Sequence, residues 1–493
     1  MGSNIQDRAI SAAKVLLLAF LAVAPFFVNP FHFSGVRATE TLHQSGFTMV
    51  ISHIGTPSEF LWIWPRVLLV SVVGLIGLLL LPAGKRLYRT AFTFSMLLYL
   101  VAVYISTLLA HDDWNFKILG GVGRLDGLFY QTGLVMFGIF AYDLIRSSKD
   151  KDKLMRAALS ILAISGGLEA AIVIMQRIGI DFVALIHGGY YWTPVGTIGH
   201  PGMVAGFLII SIFSALWLSE NTASPLTKIL AYVLVALVSV GIGISTNKSS
   251  TFAILAVLIL LLLVRRDSKS LLALALFSLG VFIITPYIPN HIEFNRNLVN
   301  TQTGKTRLLI WKMAAEAIAK TPGQPLIGAG PDGFLITLET KIPIRELLQE
   351  YRIEYGWQKD VKIVDVKPLF TEKDPLRSRA FMVTLENDPT PGKIHRIIYR
   401  YYLDKAHNLF LDRAVSYGIV AAIIWLYLFL FPIFKLYRRK DTTSLYLAGG
   451  ALALFIYYMA WFPVPQTEPL YLTWLVLAWV WVEALARNEK TAD

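Results

Sequence analysis

A chain of 493 residues that is 55% hydrophobic and only 16% charged, with mean hydropathy +0.57, is too apolar for a soluble domain of ordinary composition. The formal net charge of +12 mostly reflects basic loops between apolar runs, so nucleic acid is not an expected partner. Cysteine is absent, which permits an oxidising exterior without proving one.

Apolar runs of roughly 17 to 25 residues, each able to cross about 30 Å of hydrocarbon, recur along the chain, and about twelve spans are expected. They are Ala9 to Val28, Trp62 to Leu81, Ala91 to Ala110, Leu128 to Ile145, Ala157 to Ile178, Met203 to Leu218, Lys228 to Ser245, Thr251 to Val264, Leu271 to Tyr287, Phe410 to Phe434, Leu445 to Phe462 and Leu470 to Ala486. Ala22-Val23-Ala24 resembles a signal-peptidase site, but Pro25 follows a run too long for a signal peptide, so this reads as the first span. Basic residues gather on alternate loops: Lys85, Arg86 and Arg89; Arg146 to Arg156; Arg265, Arg266 and Lys269; Lys435 to Lys440; Arg487 and Lys490. The positive-inside rule makes that side cytoplasmic and places both termini there.

The expected fold is an all-α polytopic membrane protein of about twelve transmembrane helices, with a small α+β extracytoplasmic domain inserted between helices nine and ten. Residues 1–288 carry the first nine spans, 289–406 the external domain and 407–493 the last three. Within the insertion, Gly304 to Lys320 reads as an amphipathic helix with Leu308, Trp311, Ala315 and Ile318 on one face, ended by Thr321-Pro322-Gly323. Phe334 to Tyr355 reads as further helix interrupted at Pro343, and Val361 to Val366 alternates as a strand does. Phe381 to Leu385 and Ile394 to Tyr402 flank a Pro- and Gly-containing loop and read as a hairpin.

Several polar stretches could carry chemistry, and Asp404, His407, Asp412 and Arg413 stand at the doorstep of hydrocarbon, where ionisable groups are costly. Arg307 precedes Trp311 by one helical turn, so the indole can stack on the guanidinium and hold it as a phosphate reader. The following Pro-Leu-Ile-Gly-Ala-Gly-Pro-Asp-Gly-Phe, with Gly328 and Gly330, allows close backbone approach to a ligand or is simply a loop; it lacks the Lys-Ser/Thr ending of a nucleotide P-loop. Lys248, in a short polar turn, either snorkels to headgroups or fixes a cation at the mouth of a membrane cavity. Arg124, bracketed by Gly123 and Gly127 just ahead of a span, suits an anionic headgroup or a substrate phosphate. His111-Asp112-Asp113 reads as a solvated loop, because adjacent side chains diverge and no second ligand cluster accompanies them. His407 stands where the insertion re-enters the membrane, with Asp404 placed to cap the helix or orient the imidazole. Asp412 and Arg413 lie deeper and are expected to satisfy each other or a neighbouring helix.

Read together and in order, "GVGRLDGL", "EAAIVIMQRIGID", "TIGHPGMVAGFL", "STNKSS", "TRLLIWKMAAEAI…PLIGAGPDGF" and "AHNLFLDRAVSYG" resemble the O-antigen ligase and O-antigen polymerase family of bacterial envelope glycan transferases. The resemblance covers about Gly120 to Leu430 and rests most on the Arg…Trp…Pro-Leu-x-Gly-x-Gly and His-Asn elements. It implies transfer of a glycan from an undecaprenyl-diphosphate carrier to an acceptor hydroxyl at the outer face of the cytoplasmic membrane. The acceptor is another glycan, a lipid or a protein, and no cofactor or metal is implied. The resemblance puts the diphosphate-binding Arg on Arg307 and the catalytic His on His407, followed by Asn408. Lys248 stands where the family commonly has Arg, keeping the charge without the bidentate fork. A lipid-linked glycan flippase, with Glu169 as its midplane group, is the alternative of a different class.

Overall fold

The computed structural model describes residues 2–28, 39–44, 47–52, 62–81, 90–110, 114–120, 124–181, 194–289, 303–320, 323–334, 337, 362–368, 380–386, 395–400 and 405–490. Asp404, His111 to Asp113, the basic group Lys85, Arg86 and Arg89, and most of the helix expected over Phe334 to Tyr355 lie outside them.

Among the described residues, ten helices are long and apolar enough to cross a membrane, and two shorter apolar helices accompany them. The chain is thus a polytopic membrane protein. In order they are α1 (Gly2–Val23), α2 (Trp64–Leu80), α3 (Ala91–Leu109), α4 (Leu128–Ser147), α5 (Lys151–Arg177), α6 (Pro201–Glu220), α7 (Pro225–Ser245), α8 (Lys248–Arg265) and α9 (Ser268–Ser278), which runs on through a widened π-helical stretch, Leu279–Ile284, and a short 3-10 turn to Tyr287. After α10 (Thr303–Lys320) come α11 (Leu409–Tyr437), α12 (Thr442–Tyr458) and α13 (Glu468–Lys490). The short helices are α2 and α12, at 17 residues each.

Side chains that accept from exposed N–H groups set the helix starts. Thr90 accepts from Thr93, Ser224 from Thr227, Asn247 from Ser250, Asp267 from Ser270 and Asp441 from Ser444. Two starts differ in consequence: His200 caps α6 and Asn408 caps α11, and both border the site described below.

Helix α6 is the central post, its whole apolar window buried, and it packs against α5, α7 and α12. Small residues let it approach its neighbours, as where Gly166 of α5 meets the Ser211 side chain. Helices α2 and α3 instead turn Leu68, Val72, Leu75, Leu79, Val101 and Leu108 outward, the lipid-facing pattern of a bundle periphery. At the end of the bundle where α6 finishes, Arg265 joins Glu220 at 2.7 Å and Asp267 at 2.7 Å, tying α6, α8 and the start of α9.

Between α9 and α11 the described strands are Lys362–Pro368, Ala380–Glu386 and His395–Arg400, paired antiparallel in that order. A separate hairpin, Thr39–Gln44 with Phe47–Ser52, follows α1 and was not expected from sequence. Helix α10 packs on α11, but not through the expected face. Ile310, Met313, Ala314 and Ala317 are buried, whereas Leu308 and Ala315 are exposed. Two overlapping apolar stripes run along this sequence, and the one offering smaller side chains lies against the bundle.

Helix α11 is broken at Gly418, whose φ of 85° and ψ of 165° are not helical. The chain from Gly323 to Phe334 splints the break. Ala329 N donates to Val415 O at 2.9 Å and Gly330 N to Ser416 O at 2.8 Å. Ser106 of α3 completes it, donating to Ser416 O at 2.7 Å and accepting from Gly330 N at 3.0 Å. The Val415 and Ser416 carbonyls freed by the break are thereby satisfied inside the bundle, as hydrocarbon requires. A Cβ on Gly418 would lie 2.1 Å from Leu326 O, so only glycine fits.

Asp412 and Arg413 do not satisfy each other. Asp412 turns back to accept from Ala406 N at 3.2 Å and to face Lys405 at 3.8 Å. Arg413 pairs with Glu468 at the start of α13 and lies over the rings of Tyr99, Tyr417 and Trp425. Adjacent residues on a helix point about 100° apart, so each found a partner on its own side.

Candidate functional site

The connection that follows α12 carries Trp461 and Phe462, whose rings stack at 5.2 Å with 13° between planes. Both are buried, and groups from four other chain segments gather on them. The Arg307 guanidinium, from α10, lies 5.4 Å from the Trp461 ring centre. The Arg124 guanidinium, from the segment ahead of α4, lies 4.7 Å from that of Phe462. The His407 ring stands edge-on to Phe462 at 4.7 Å and to Trp461 at 5.6 Å. The His200 ring lies 5.5 Å from Trp461.

Each of these is locally positioned. His407 holds a left-handed backbone, φ 49°, uncommon for a non-glycine residue and held here by its neighbours. Asn408 is one such constraint: its side-chain oxygen accepts from Phe410 N at 3.0 Å and Leu411 N at 3.2 Å, capping α11. Its amide donates to Met459 O at 3.0 Å, pinning His407 beside the Trp461 connection. The helix cap expected of Asp404 is therefore supplied by Asn408. Trp311 is the second constraint, its indole N–H donating to His407 O at 3.3 Å. The ring under Arg307 is Trp461, not the Trp311 expected from helical spacing, because Trp311 is turned toward the start of α11.

Lys405, two residues before His407, is buried among three carboxylates. It pairs with Asp126, with Asp332 at 2.7 Å and with Asp412 at 3.8 Å. Burial alone would lower its pKa, but the three acids outweigh that and hold it well above the ordinary lysine value. This cluster joins the Arg124 segment, the glycine-rich segment and the α11 entry into one block.

His200 accepts from Gly202 N through Nδ1 at 3.0 Å. The surrounding protein, together with the Arg124 and Arg307 guanidiniums, pushes its pKa down to about 4. His200 is itself exposed, so the two nearby cations are the cause that its surroundings sustain.

Lys248 is exposed at the first turn of α8, directly after the Thr246–Asn247 corner. The Asn247 amide lies 3.1 Å from where a Cβ on Gly202 would sit, which places that turn against the His200 corner. Gly328 and Gly330 do not border open space. Their close approach is to the backbone of α11: a Cβ on Gly328 would fall 2.3 Å from Ser416 O. Glu169 accepts from Thr197 N at 2.8 Å and from its hydroxyl at 2.6 Å, deep beside Arg66, whose guanidinium donates to Thr197 O at 2.9 Å. That carboxylate is engaged in holding the Thr197 turn.

The structure thus brings together Arg307, His407, Arg124, Trp311 and Asn408, sets the Lys248 turn at the edge, and assigns the glycines to the scaffold. Sequence reasoning missed His200, Trp461, Phe462 and Lys405. Among the described residues, no group of three His, Cys, Asp or Glu side chains is placed to hold a metal ion. No family model matches the chain, and no curated protein matches it at a significant level.

Proposed function

We propose that this chain is a membrane glycosyltransferase of the O-antigen ligase and polymerase type, moving a glycan from undecaprenyl diphosphate to an acceptor hydroxyl. One observation carries the reading: two guanidiniums and two imidazoles converge on the Trp461–Phe462 pair. Arg307 and Arg124 hold the diphosphate and neutralise the charge that grows on it as the glycosidic bond breaks, with Lys248 assisting from the rim. His407 accepts the acceptor's proton while the acceptor oxygen forms its bond to the anomeric carbon, and the diphosphate leaves with the bonding electrons. The aromatic pair fixes the cations without consuming their charge.

In this reading the ten long and two short apolar helices form twelve spans, and the insertion between α9 and α11 is an α+β cap. The site opens to the outer face of the bacterial cytoplasmic membrane, and both termini are cytoplasmic. The carrier's lipid then lies in the bilayer while its sugar lies outside, so the cations belong at the threshold between them.

Purified protein supplied with an undecaprenyl-diphosphate-linked glycan and an acceptor is the direct test. Glycan transfer with release of undecaprenyl diphosphate is expected. Movement of the intact carrier across vesicles without transfer would replace the reading by a flippase. Envelope glycans of a deletion strain divide the transferase types: shortened chains indicate a polymerase, and retained carrier-linked polymer a ligase. Orientation is read from single cysteines in this cysteine-free chain. A cysteine replacing Arg438 is expected to resist impermeant labelling in intact cells.

A further inference from the structure

His200 stands apart from the residues to which the proposed reaction already gives work, and its geometry fixes one protonation form. As the N-cap of α6 it offers Nδ1 to the Gly202 N–H at 3.0 Å. A nitrogen that accepts there carries no proton, so in the neutral ring the proton is on Nε2. Protonating the ring would set a second N–H against the Gly202 N–H and remove the cap. The groups around it act in the same direction. Arg124 and Arg307 oppose added positive charge. From α8, Asn247 contributes an amide without charge; from α12, the Tyr457 hydroxyl donates to Gly202 O at 2.8 Å and steadies the same corner.

His200 is exposed, unlike the buried Trp461 beside it. Trp461 also has an indole N–H that makes no hydrogen bond to a described residue. The corner therefore places a neutral donor on an exposed residue, His200, beside two guanidiniums, an arrangement suited to an anion whose charge the arginines balance.

We infer that His200 is a further ligand-binding residue of this site, a permanently neutral imidazole whose Nε2–H donates to a phosphoryl oxygen of the bound diphosphate. The inference rests on the reading of the site as a diphosphate site. It gives the two histidines different work. His407 exchanges a proton with the acceptor, whereas His200 keeps its proton throughout and orients the leaving group.

Undecaprenyl diphosphate, binding to the full chain in nanodiscs, is the probe. His200→Ser and His200→Asn both retain an oxygen acceptor for the Gly202 N–H, so the cap and the melting temperature are expected to survive. Both lose a donor at the distance of Nε2. Affinity is expected to fall about 10- to 100-fold, the size of a hydrogen bond to a charged group. The ratio of wild-type to variant affinity is expected to stay constant between about pH 5.5 and 8, because a neutral donor does not titrate there. Unchanged affinity in either folded variant, with Arg307→Ala weakened, removes His200 and leaves the diphosphate site standing. A ratio that widens toward low pH identifies a charged imidazolium and overturns the neutral donor. No binding by the wild-type chain removes the diphosphate reading and this inference together.

Discussion

The indole N–H of Trp311 donates to the carbonyl oxygen of His407 across 3.3 Å, so a helix of the insertion holds the backbone of the proposed base. The bond matters because His407 occupies a left-handed conformation that is uncommon for a residue other than glycine. Trp311→Phe keeps the ring and deletes the donor. Turnover is expected to drop about two- to tenfold, the worth of one ordinary hydrogen bond, with affinity for undecaprenyl diphosphate unchanged. Equal loss of binding and turnover would show that Trp311 acts through Arg307 instead.

His407→Ala is expected to lower single-turnover rate by about two to four orders of magnitude while donor affinity stays near wild type. Arg307→Ala is expected to reduce both. Measuring the two quantities on one preparation separates a base from an interfacial anchor, which would alter thermal stability and leave the rate of the folded fraction intact.

Arg307→Lys tests the fork. Lysine keeps the charge but cannot place two parallel N–H donors on a phosphoryl group, so most activity is expected to go. Lys248→Arg, at an exposed rim position, is expected to be tolerated or to improve turnover. Full activity in Arg307→Lys would mean that the site needs only a cation.

Lys405→Met leaves Asp126, Asp332 and Asp412 buried without their shared cation. Removing one member of such a cluster is expected to cost about 3–5 kcal/mol, read as a large fall in melting temperature. Asp412→Asn, at the longest of the three separations, is expected to cost much less. Because the folded-state pKa of Lys405 lies above its unfolded value, its stabilisation is complete at lower pH. It is expected to hold constant from about pH 6 to 9 and to fade only above about 10.4, as pH rises toward the folded-state value.

Gly418→Ala forces a Cβ against Leu326 O and places alanine at positive φ. Strain of about 1–3 kcal/mol from the backbone alone is expected, with the clash added to it. Melting should fall sharply, whereas an alanine at Gly323, which has the same sign of φ but open space around it, is expected to cost only the backbone share.

The sequence carried the spans well, because length and hydropathy are local properties: the expected run Leu128 to Ile145 became Leu128–Ser147, and Phe410 to Phe434 became Leu409–Tyr437. Arg307 was legible as a cation one helical turn from an indole, and His407 as a histidine where the insertion re-enters the membrane. Their partners were not. Trp461 and Phe462 read as the tail of a span, and nothing local marks a tryptophan on which two guanidiniums and two imidazoles will meet. His200 was visible only as a residue before Pro201, which announces a helix start but not a tautomer. The pairing of Lys405 with Asp126 and Asp332 joins positions hundreds and tens of residues apart, and spacing is silent at that range. Where two answers were locally equal, as for the two apolar stripes of α10, tertiary packing decided.

The position of Trp461 in the chain has a consequence for biogenesis. A ribosome delivers residue 124 early and residue 461 near the end, and membrane helices enter the bilayer in that order. Until α12 has been inserted and the chain beyond it has emerged, Arg124, His200, Arg307 and His407 have no common surface to meet on. If the proposed function holds, a nascent chain that already carries every proposed cation and base is expected to be inert until the segment beyond α12 reaches them.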